Sequence, residues 1–475
     1  MRLLALPLLC GLALPAVSQT TFTVIGQGAA YDANSDATAV CGADSQGAWL
    51  WTQAGGYVPL GEQSAEAVSE DGTVVLGQIK DGSGSNVAGL WTQATGWQSL
   101  GGLSSGCGSD VSNPYDLSGD GLTAVGLGWQ NCTGVPFRWT STGGMDEIAY
   151  SGLGSGRASA VSDDGLWVGG WDEASNGSRR ACIWDTNDSQ TFLLVSGANP
   201  DGAGEVIGLS DDGTWAVGTE FKDAYIWSAA TGVNNIGDPG GGGILDVSLL
   251  MDITNDGQIA VGGFGGGPFI DATIWTPATG LIFLRDFLIA RGIDMSAWEP
   301  ALATSISPDG SRIVGYARAA GTFDLSWFII EINTGPLGTN YCGPGNLNST
   351  GQSGVISAFG SPVAADNLLD LTGSQLPPGQ FAYFLNSQTQ GFVTNPGGSQ
   401  GNLCLGGGIG RHVSQIGSID SGGEFSISLD LTSVPTPSGP TAVLSGSTWN
   451  WQCWHRDKNP TTTSNFTDGI EITFQ

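Results

Sequence analysis

The stretch EVIGLSDDGTWAVGTEFKDAYIWSAATGVNNIG, residues 205–237, contains one complete copy of a unit that recurs along the chain. It reads as an apolar strand, a Ser-x-Asp-Gly turn, a second apolar strand ending in Val-Gly, a polar loop, an Ala-x-x-Trp strand, a Thr-Gly turn and a short last strand. So small a unit cannot bury its own apolar faces, so neighbouring units must pack together. Successive Asp-Gly turns lie 44 to 53 residues apart, a period typical of β-propeller blades.

Two features of the unit can be counted. A degenerate turn, in which alanine replaces glycine, occurs at Ser35-Asp36-Ala37. The intact Asp-Gly turns begin at Asp71, Asp120, Asp164, Asp212, Asp256 and Asp309. The matching tryptophans are Trp51, Trp91, Trp139, Trp184, Trp227, Trp275 and Trp327. Both counts predict an all-β fold with a seven-bladed β-propeller over residues 19–333.

The ends of the repeat region predict how the ring closes. The seventh unit stops at residues 327–332 without its Thr-Gly turn and fourth strand, whereas residues 22–26 have the pattern of such a strand. We therefore expect the N-terminal strand to complete the last blade. Backbone hydrogen bonds would then tie the two ends of the ring together.

The repeated polar and aromatic residues favour structural roles. Ser at the first turn position accepts backbone hydrogen bonds, and the glycine supplies a positive φ, so a turn is a better interpretation than a cation site. The repeated tryptophans are expected to fill the gaps between blades. Four tryptophans outside that slot, Trp97, Trp129, Trp171 and Trp298, are candidates for stacking against a ligand.

The unit resembles the HAF repeat of exported bacterial proteins, whose motif is close to Ser-x-Asp-Gly-x-x-x-Val-Gly followed by Ala-x-x-Trp. The resemblance covers residues 30–330. It implies a propeller-like fold and supplies no catalytic residues. The turn also differs by one residue from the sialidase-type Asp box, which is itself structural.

Charge and targeting signals restrict the location and the partners. The chain has 14 Lys and Arg against 44 Asp and Glu, a net charge of −30, which disfavours nucleic acid and anionic membranes. Arg2, the apolar run 3–14 and the small residues 16–18 predict a signal peptide over residues 1–18. No later run is long enough for a membrane span. We expect a secreted or extracytoplasmic protein, associated with the cell surface or free, and monomeric.

Residues 334–475 form a second region, after a Gly- and Pro-containing linker at 333–338. Apolar residues alternate with period two, as in residues 381–385, 425–431 and 470–474, which predicts an antiparallel, jelly-roll-like β-sandwich. Its segments 341–351 and 464–469 resemble a C-terminal module of secreted planctomycete-type proteins. That resemblance implies an accessory or surface-retention role.

Seven cysteines remain after Cys10 of the signal segment, so not all can pair. Cys107 and Cys132 flank one irregular polar stretch and are expected to form a disulfide. Cys342 is expected to pair with Cys404, with Cys453 as the competing partner. Cys41 and Cys182 lie in strand-like segments and are interpreted as buried thiols.

No catalytic, metal or cofactor site can be assigned. The only histidines, His412 and His455, lie in the C-terminal region, so a Ser-His-Asp triad in the propeller is excluded. Trp454, with Asn450 and Gln452, is a further candidate for ligand stacking. Weaker candidates are a calcium-loop start at Asp32, Asn34 and Asp36, and the carboxylates Asp172, Glu173 and Glu220.

Two hypotheses for function remain. The first is a non-catalytic exported binding or cell-surface protein that uses a propeller face as a platform for a glycan or a protein. It rests on the near-equivalence of the units, because an active site usually breaks a repeat. The alternative is a carbohydrate-active enzyme, a glycosidase or polysaccharide lyase, with a carboxylate pair on the propeller face.

Overall fold

The structure, a computed structural model, describes residues 20–103, 107–193, 204–240, 243, 246–266, 269–277, 279–332 and 337–475. The segment assigned as a signal peptide and residues 333–336 of the linker lie outside these ranges. The described chain divides into two compact units, one spanning residues 20–332 and the other 337–475 except for 365–367, which group with the first. Among these residues, none of the helices has the length and apolar character needed to cross a bilayer.

The first unit is built from four-stranded antiparallel sheets that follow one another along the chain, a propeller-like repeat fold. Sheet 1 contains β2 (Ala29–Ala33), β3 (Ala39–Asp44), β4 (Gly47–Thr52) and β5 (Gly56–Gly61); sheet 2 contains β6 (Ser64–Val68), β7 (Val74–Lys80), β8 (Asn86–Thr92) and β9 (Gly96–Gly101). Sheet 3 contains β10 (Ser112–Leu117), β11 (Thr123–Gln130), β12 (Thr133–Thr140) and β13 (Gly144–Glu147); sheet 4 contains β14 (Gly156–Val161), β15 (Val168–Glu173), β16 (Arg179–Trp184) and β17 (Gln190–Phe192).

Three more sheets follow. Sheet 5 contains β18 (Gly204–Leu209), β19 (Trp215–Glu220), β20 (Asp223–Ser228) and β21 (Gly232–Gly237); sheet 6 contains β22 (Val247–Ile253), β23 (Ala260–Gly266), β24 (Phe269–Thr276) and β25 (Gly280–Phe283). Sheet 7 contains β26 (Trp298–Ile306), β27 (Arg312–Ala319), β28 (Leu325–Glu331) and, from the N-terminal end, β1 (Thr21–Gln27). Helix α1 (Leu284–Ala290) connects sheets 6 and 7.

The series of sheets closes on itself. The first strand of each sheet contacts the first strand of the next, and β26 of sheet 7 contacts β2 of sheet 1. Strand β1 pairs antiparallel with β28, with Thr21 opposite Glu331 and Phe22 opposite Ile330. The expected completion of the last unit by the N-terminal strand is therefore present.

The repeated tryptophans fill a common slot between neighbouring sheets. In six units the tryptophan lies opposite the residue two before the Val-Gly glycine: Trp91 is opposite Val75 and Trp227 opposite Ala216. Each ring packs on an apolar cluster shared with the preceding sheet. The gaps between sheets are thus filled as the sequence predicts.

The assignment of Trp327 as the seventh member of this set was wrong. Ile330 lies opposite Ile313 and occupies the slot, whereas Trp327 lies three residues earlier, opposite Tyr316. Its ring stacks on Trp49 of sheet 1, with 5.1 Å between ring centroids. The third strand of this unit is one continuous apolar run, so spacing from the turn did not reveal its register.

The C-terminal unit contains three antiparallel sheets. One is formed by β29 (Thr339–Tyr341), β32 (Phe381–Ser387), β35 (Gly410–Arg411), β36 (Gly417–Ser418), β38 (Thr448–Lys458) and β39 (Thr462–Thr473). The others are β30 (Val355–Gly360), β31 (Leu369–Ser374) and β37 (Phe425–Ser428), and the hairpin β33 (Thr389–Thr394) and β34 (Asn402–Gly406). Short 3₁₀ turns occur at Ala364–Asp366, Pro396–Gly398 and Val413–Gln415.

One large apolar core serves the C-terminal unit. Ile356 of β30 and Leu371 of β31 pack in the same cluster as Phe384, Trp451 and Ile470 of the six-stranded sheet. The alternation along β38 explains this placement, because Trp449, Trp451 and Cys453 share the face that enters the core. These strands therefore share one apolar core, whereas the first unit has separate apolar clusters between successive sheets.

Two disulfides are present, Cys107–Cys132 and Cys342–Cys404. Cys453, the competing partner, is instead a buried free thiol in the apolar core. Cys41 and Cys182 are also buried and free, as their strand positions predict. Disulfides persist mainly in oxidising compartments, which agrees with an extracytoplasmic location.

Candidate functional site

The first strand of every unit in the propeller-like fold carries a β-bulge. In sheet 5, for example, the register shifts between Val206 and Gly208, so Ile207 has no partner on β19. Strand β26 has a second register shift at Ala301, which does not line the cavity. One unmatched residue of each unit lines a common axial cavity, and these residues are Tyr31, Glu66, Tyr115, Ser159, Ile207, Met251 and Thr304. Each unit thus contributes one variable side chain to the axis, which we call the axial channel.

The Val-Gly glycine of the repeat makes room for this bulge. A Cβ added at Gly218 would lie 1.9 Å from the carbonyl oxygen of Glu205, and one at Gly42 would lie 2.0 Å from that of Ala29. In both units the colliding carbonyl belongs to the residue two before the bulge. A methyl group would therefore push the first strand away and remove the bulge that aims its side chain into the channel.

The Ser-x-Asp-Gly segments form turns whose side chains are used within the turn. The Ser69 hydroxyl donates to Asp71 Oδ1 at 2.8 Å and accepts from the Val74 N–H at 3.0 Å. Asp71 Oδ1 also accepts from the Thr73 N–H, and Gly72 has a φ of +68°. An equivalent bond recurs in the other intact turns, with Thr254 in place of serine in the sixth unit. The motif therefore acts as the structural turn that the sequence predicts.

Neighbouring turns are joined to each other at one mouth of the channel. The N–H of Glu70 donates to the carbonyl of Gly119 at 2.8 Å, that of Gly119 to Asp163 at 3.0 Å, and that of Asp163 to Asp211 at 3.0 Å. These are the variable residues of consecutive Ser-x-Asp-Gly turns. We call the surface that carries the seven turns the turn face. Its backbone bonds tie unit to unit, a role that one motif copy alone does not reveal.

Side chains on the turn face also pack against the motif glycine of the next turn. The Trp167 ring lies against Gly213 and the Trp215 ring against Gly257, where an added Cβ would be 2.4 Å and 2.3 Å from the rings. The motif glycine is thus needed twice, for its positive φ and for this close approach. Trp167 keeps 37% of its surface exposed and is accompanied by exposed Leu166, which makes an apolar patch on the turn face.

Three aspartates within the channel cap the neighbouring first strand. Asp32 accepts from the N–H of Val68, Asp116 from that of Val161 and Asp252 from that of Ile306, at 2.7 to 2.9 Å. Burial raises the pKa of Asp32 to about 7, with the neighbouring Asp163 and Glu70 charges adding to the rise. Burial and the charge of Asp32 also raise the pKa of Asp116 well above its usual range.

Further carboxyl groups lie at the mouth formed by the turns. Burial raises the pKa of Asp163 to about 6, and the charge of Glu70 adds to the rise. Burial and the charge of Asp163 raise the pKa of Asp211 to about 7. These groups repel one another because the variable turn positions converge at the axis.

One cation lines the channel, on the side away from the turns. The Arg157 guanidinium pairs with Glu205, donates to the Tyr115 hydroxyl at 2.9 Å and lies 4.3 Å from the Tyr115 ring centre. Arg179 also approaches Glu205, at 3.6 Å. Two guanidinium groups therefore compensate the negative charge of Glu205, whereas the carboxyls of the turn mouth are not compensated in this way.

The axial channel encloses a cavity of about 410 Å³. Eight carboxyl-bearing residues and one guanidinium contribute to its lining. Units 1 to 4 contribute polar or aromatic bulge residues, whereas Ile207, Leu249, Met251 and Leu302 of units 5 to 7 form an apolar arc. The same units also contribute Glu205, Asp211, Asp252 and Thr304, so the wall combines an apolar arc with carboxyl groups distributed around the axis.

The sequence reasoning missed this channel, although the repeat contains the signal for it. The bulge residue lies three positions before the first residue of every motif turn, as Glu66 precedes Ser69 and Met251 precedes Thr254. The sequence reasoning also missed the exposed Trp167. Its position, the second residue after the motif glycine, is the signal that could have identified it.

The tryptophans proposed for ligand stacking do not converge. Trp97 donates to the Leu60 carbonyl at 3.0 Å and packs between sheets 1 and 2. Trp129 donates to Asn113 Oδ1 at 2.8 Å, and Trp298 begins β26, half-buried. Trp171 is 5% exposed, with the Arg179 guanidinium 4.3 Å from its ring centre. Trp97 lies on sheet 2, Trp129 on sheet 3, Trp171 on sheet 4 and Trp298 on sheet 7.

Trp454 lies in the C-terminal unit, in a second apolar cluster. Its ring is 4.9 Å from that of Tyr383, beside Leu405 of β34 and Phe466 of β39. Asn450 and Gln452 are buried on the same side of β38. The hairpin of β33 and β34 therefore contributes to covering the face that the sequence suggested for a sugar.

The remaining candidate ligands serve local structure. Asp172 accepts from the N–H and hydroxyl of Ser151, both at 2.8 Å, and Glu173 accepts from the Ser155 N–H. Burial and the charge of Asp223 raise the pKa of Glu220. Asn34 and Asp36 bond to the degenerate turn. Within the described ranges, no group of three or more His, Cys, Asp or Glu is arranged to hold a metal ion.

Both histidines are buried in the C-terminal unit. Burial lowers the pKa of His412 to about 4 and also lowers that of His455, whose Nδ1 lies 3.1 Å from the Arg456 carbonyl oxygen. Neutral, enclosed rings of this kind are core residues of the unit.

Comparisons with known proteins find likeness of fold alone. No family model matches the chain, and no curated protein matches it. The TolB structure from Acinetobacter baumannii is 16% identical, with 53% of this chain and 61% of that one covered and a TM-score of 0.36. The propeller domain of the Trilobed protease from Pyrococcus furiosus is 8% identical (61% and 88% covered, TM-score 0.39). Hydrazine synthase of Kuenenia stuttgartiensis is 13% identical (66% and 98% covered, TM-score 0.38).

Proposed function

We propose that this chain is an exported, non-catalytic binding protein. In this account residues 1–18 are a cleaved signal peptide, residues 19–333 are a closed seven-bladed β-propeller of HAF-like repeats, and residues 334–475 are an accessory antiparallel β-sandwich. The turn face of the propeller is the platform for the ligand, and the protein acts as a monomer.

The observation that carries the proposal is the equivalence of the turns. The intact motif turns use their Ser or Thr and Asp side chains in equivalent internal hydrogen bonds, and neighbouring turns share backbone bonds. No unit diverts its motif carboxylate to another purpose. Catalytic sites need unequal groups in specific geometry, whereas repeated surfaces suit binding.

The turn face favours a ligand with both apolar and positively charged surface. Exposed Leu122 follows one motif turn and exposed Leu166 and Trp167 follow the next, and Asp163 and Asp211 belong to turns of the same face. Exposed apolar patches rimmed by polar residues are typical of protein interaction sites. A protein with a basic surface is therefore the first candidate ligand, and a glycan is the second.

Binding of the intact protein to a glycan array and to purified exported proteins tests the proposal. We expect a ligand whose affinity falls at least tenfold with Trp167→Ser and is unchanged with Leu153→Ser, which removes a more exposed apolar residue before β14. Equal loss in both variants, or ligand binding that neither variant affects, would rule out the turn face as the platform.

The enzyme alternative has one observation in its favour. Asp32, Asp163 and Asp211 face one cavity and have pKa values raised to between about 6 and 7, a property of general acids. Incubation of the purified protein with a panel of polysaccharides tests it. Release of sugars that Asp211→Asn abolishes would replace the binding proposal with a carbohydrate-active enzyme.

A further inference from the structure

We propose that the axial channel binds a small organic cation with a hydrocarbon body, of the alkylammonium class. This site lies inside the channel, whereas the platform is the outer surface of the turns, and the two share only the mouth carboxyls of Asp163 and Asp211. The argument rests on the size of the cavity, on the apolar arc in its wall and on the identity of the bulge residues.

The cavity has the dimensions of a small-molecule site. Its volume of about 410 Å³ falls within the roughly 300–1,000 Å³ typical of ligand pockets. The side chains that line it remain partly accessible, since Glu66, Tyr115, Ile207 and Met251 are half-buried. A compact molecule can therefore reach the wall without separation of the sheets.

The apolar arc calls for a hydrocarbon partner. Ile207, Leu249, Met251 and Leu302 come from three consecutive sheets and line one side of the channel. These side chains are buried from bulk solvent only in part, and covering them with alkyl groups would contribute about 25 cal/mol per Å². A bare metal ion or a fully hydroxylated sugar could not use this surface.

The lining of the channel calls for a positive charge. Its only guanidinium, Arg157, is already paired with Glu205, so the remaining carboxyls of the lining have no cation of their own among the described residues. Tyr31, 36% exposed, adds a ring face and a hydroxyl, which attract ammonium groups, whereas Tyr115 is already in contact with Arg157. An anion would be repelled from such a channel.

Glu66 is the anchor that the hydrogen bonds favour. The carboxylates of Asp32, Asp116 and Asp252 already accept backbone N–H groups of the neighbouring strand. Glu66 is the bulge residue of sheet 2, and it accepts from the hydroxyl of Ser64 on its own strand. It can therefore take a charged donor without loosening the contact between sheets.

Calorimetry with hexylammonium, 1-hexanol and hexanoate at physiological salt tests the proposal on the intact protein. We expect hexylammonium to bind, hexanol to bind at least tenfold more weakly and hexanoate to give no heat. Glu66→Gln should weaken hexylammonium at least tenfold, and Asp146→Asn, which removes the same charge from an exposed strand, should leave it unchanged. Circular dichroism checks that the variants fold.

The apolar half of the site has its own variant. Met251→Ser should weaken hexylammonium several-fold and leave methylammonium unaffected, because only the longer ion reaches the apolar arc. Equal binding of hexanoate, equal affinity in Glu66→Gln and Asp146→Asn, or displacement of hexylammonium by millimolar Ca²⁺ with no effect of Met251→Ser would each overturn the proposal.

Discussion

The repeat unit of residues 20–332 and the C-terminal unit solve the same problem of burying β-sheets in different ways. The first distributes its apolar contacts over a series of gaps between sheets, and ties neighbouring turns by backbone hydrogen bonds. The second has one large core, crossed by the aromatic side of β38. The difference teaches that a repeat can leave its axis free for variable, even charged, residues, whereas a single core cannot.

The two units also differ in the titratable groups that they bury. The channel of the repeat unit holds carboxyls whose pKa values are raised, while the C-terminal unit encloses histidines whose pKa values are lowered. Burial is the leading cause in both. Because burial disfavours the charged form of each group, acid and base act on the two units in opposite directions.

The sharpest test of the single core is a large truncation within it. Trp451 is fully buried in β38, so Trp451→Ala should cost about 3–5 kcal/mol of stability. The loss should be confined to residues 337–475 in hydrogen-exchange mass spectrometry. Trp91→Ala, in a half-buried slot between sheets 1 and 2, should cost less. A larger effect of Trp91→Ala would break the comparison.

Two glycines with nearly identical φ separate conformational strain from packing between units. Gly232 (φ +69°) has no atom within 4 Å of an added Cβ, whereas Gly257 (φ +68°) meets the Trp215 ring at 2.3 Å. Gly232→Ala should cost about 1 kcal/mol through its φ alone. Gly257→Ala should cost about 1–3 kcal/mol more, measured by denaturant unfolding. Equal costs would mean that the turns do not lock together.

Stability against pH should separate the two units. A carboxyl with a raised pKa contributes stability that is full below its unfolded pKa of about 4 and is lost as the pH rises through about 7, so the repeat unit should gain stability from pH 8 to pH 5. His412 has the opposite sign: its contribution is present above about 6.5 and is lost as the pH falls towards 4.

Hydrogen exchange at pH 5 and pH 8 measures both trends in one protein. Asp211→Asn should flatten the pH dependence of the repeat unit by about 1–2 kcal/mol, after allowance for solvent screening, and leave that of the C-terminal unit unchanged. Asp146→Asn is the matched control. A repeat unit that weakens between pH 8 and pH 5 would show that burial does not raise the pKa values of the channel carboxyls.

The smallest expected effect concerns the degenerate turn. Ala37 has a φ of +50°, where the other motif turns have glycine. Ala37→Gly should therefore stabilise the protein by about 0.5–1 kcal/mol in thermal unfolding. No gain, or a loss, would show that the alanine methyl group contributes packing that offsets its strained backbone.

The sequence predicted what recurs and missed what varies. Strand order, the turns, the tryptophan slot in six units and the closing strand followed from the period of Asp71, Asp120 and their equivalents, because repetition averages out local ambiguity. Trp327 was misplaced because an unbroken apolar run has no register signal. The channel was missed because Glu66 is turned inward by a β-bulge, which is a shift in backbone register and not a property of that side chain. Its trace in the sequence is a glycine on another strand, Gly77.

Closure of the ring is the claim on which the channel and the turn face both depend. Thr21 and Glu331 are exposed and directly opposite each other on β1 and β28. In the native protein, Thr21→Cys combined with Glu331→Cys should be joined rapidly by a short bis-maleimide, and mass spectrometry should recover the linked peptides. Thr21→Cys combined with Ser83→Cys should stay unlinked. Slow or absent linkage of the first pair, at the rate of the second, would contradict the closed ring.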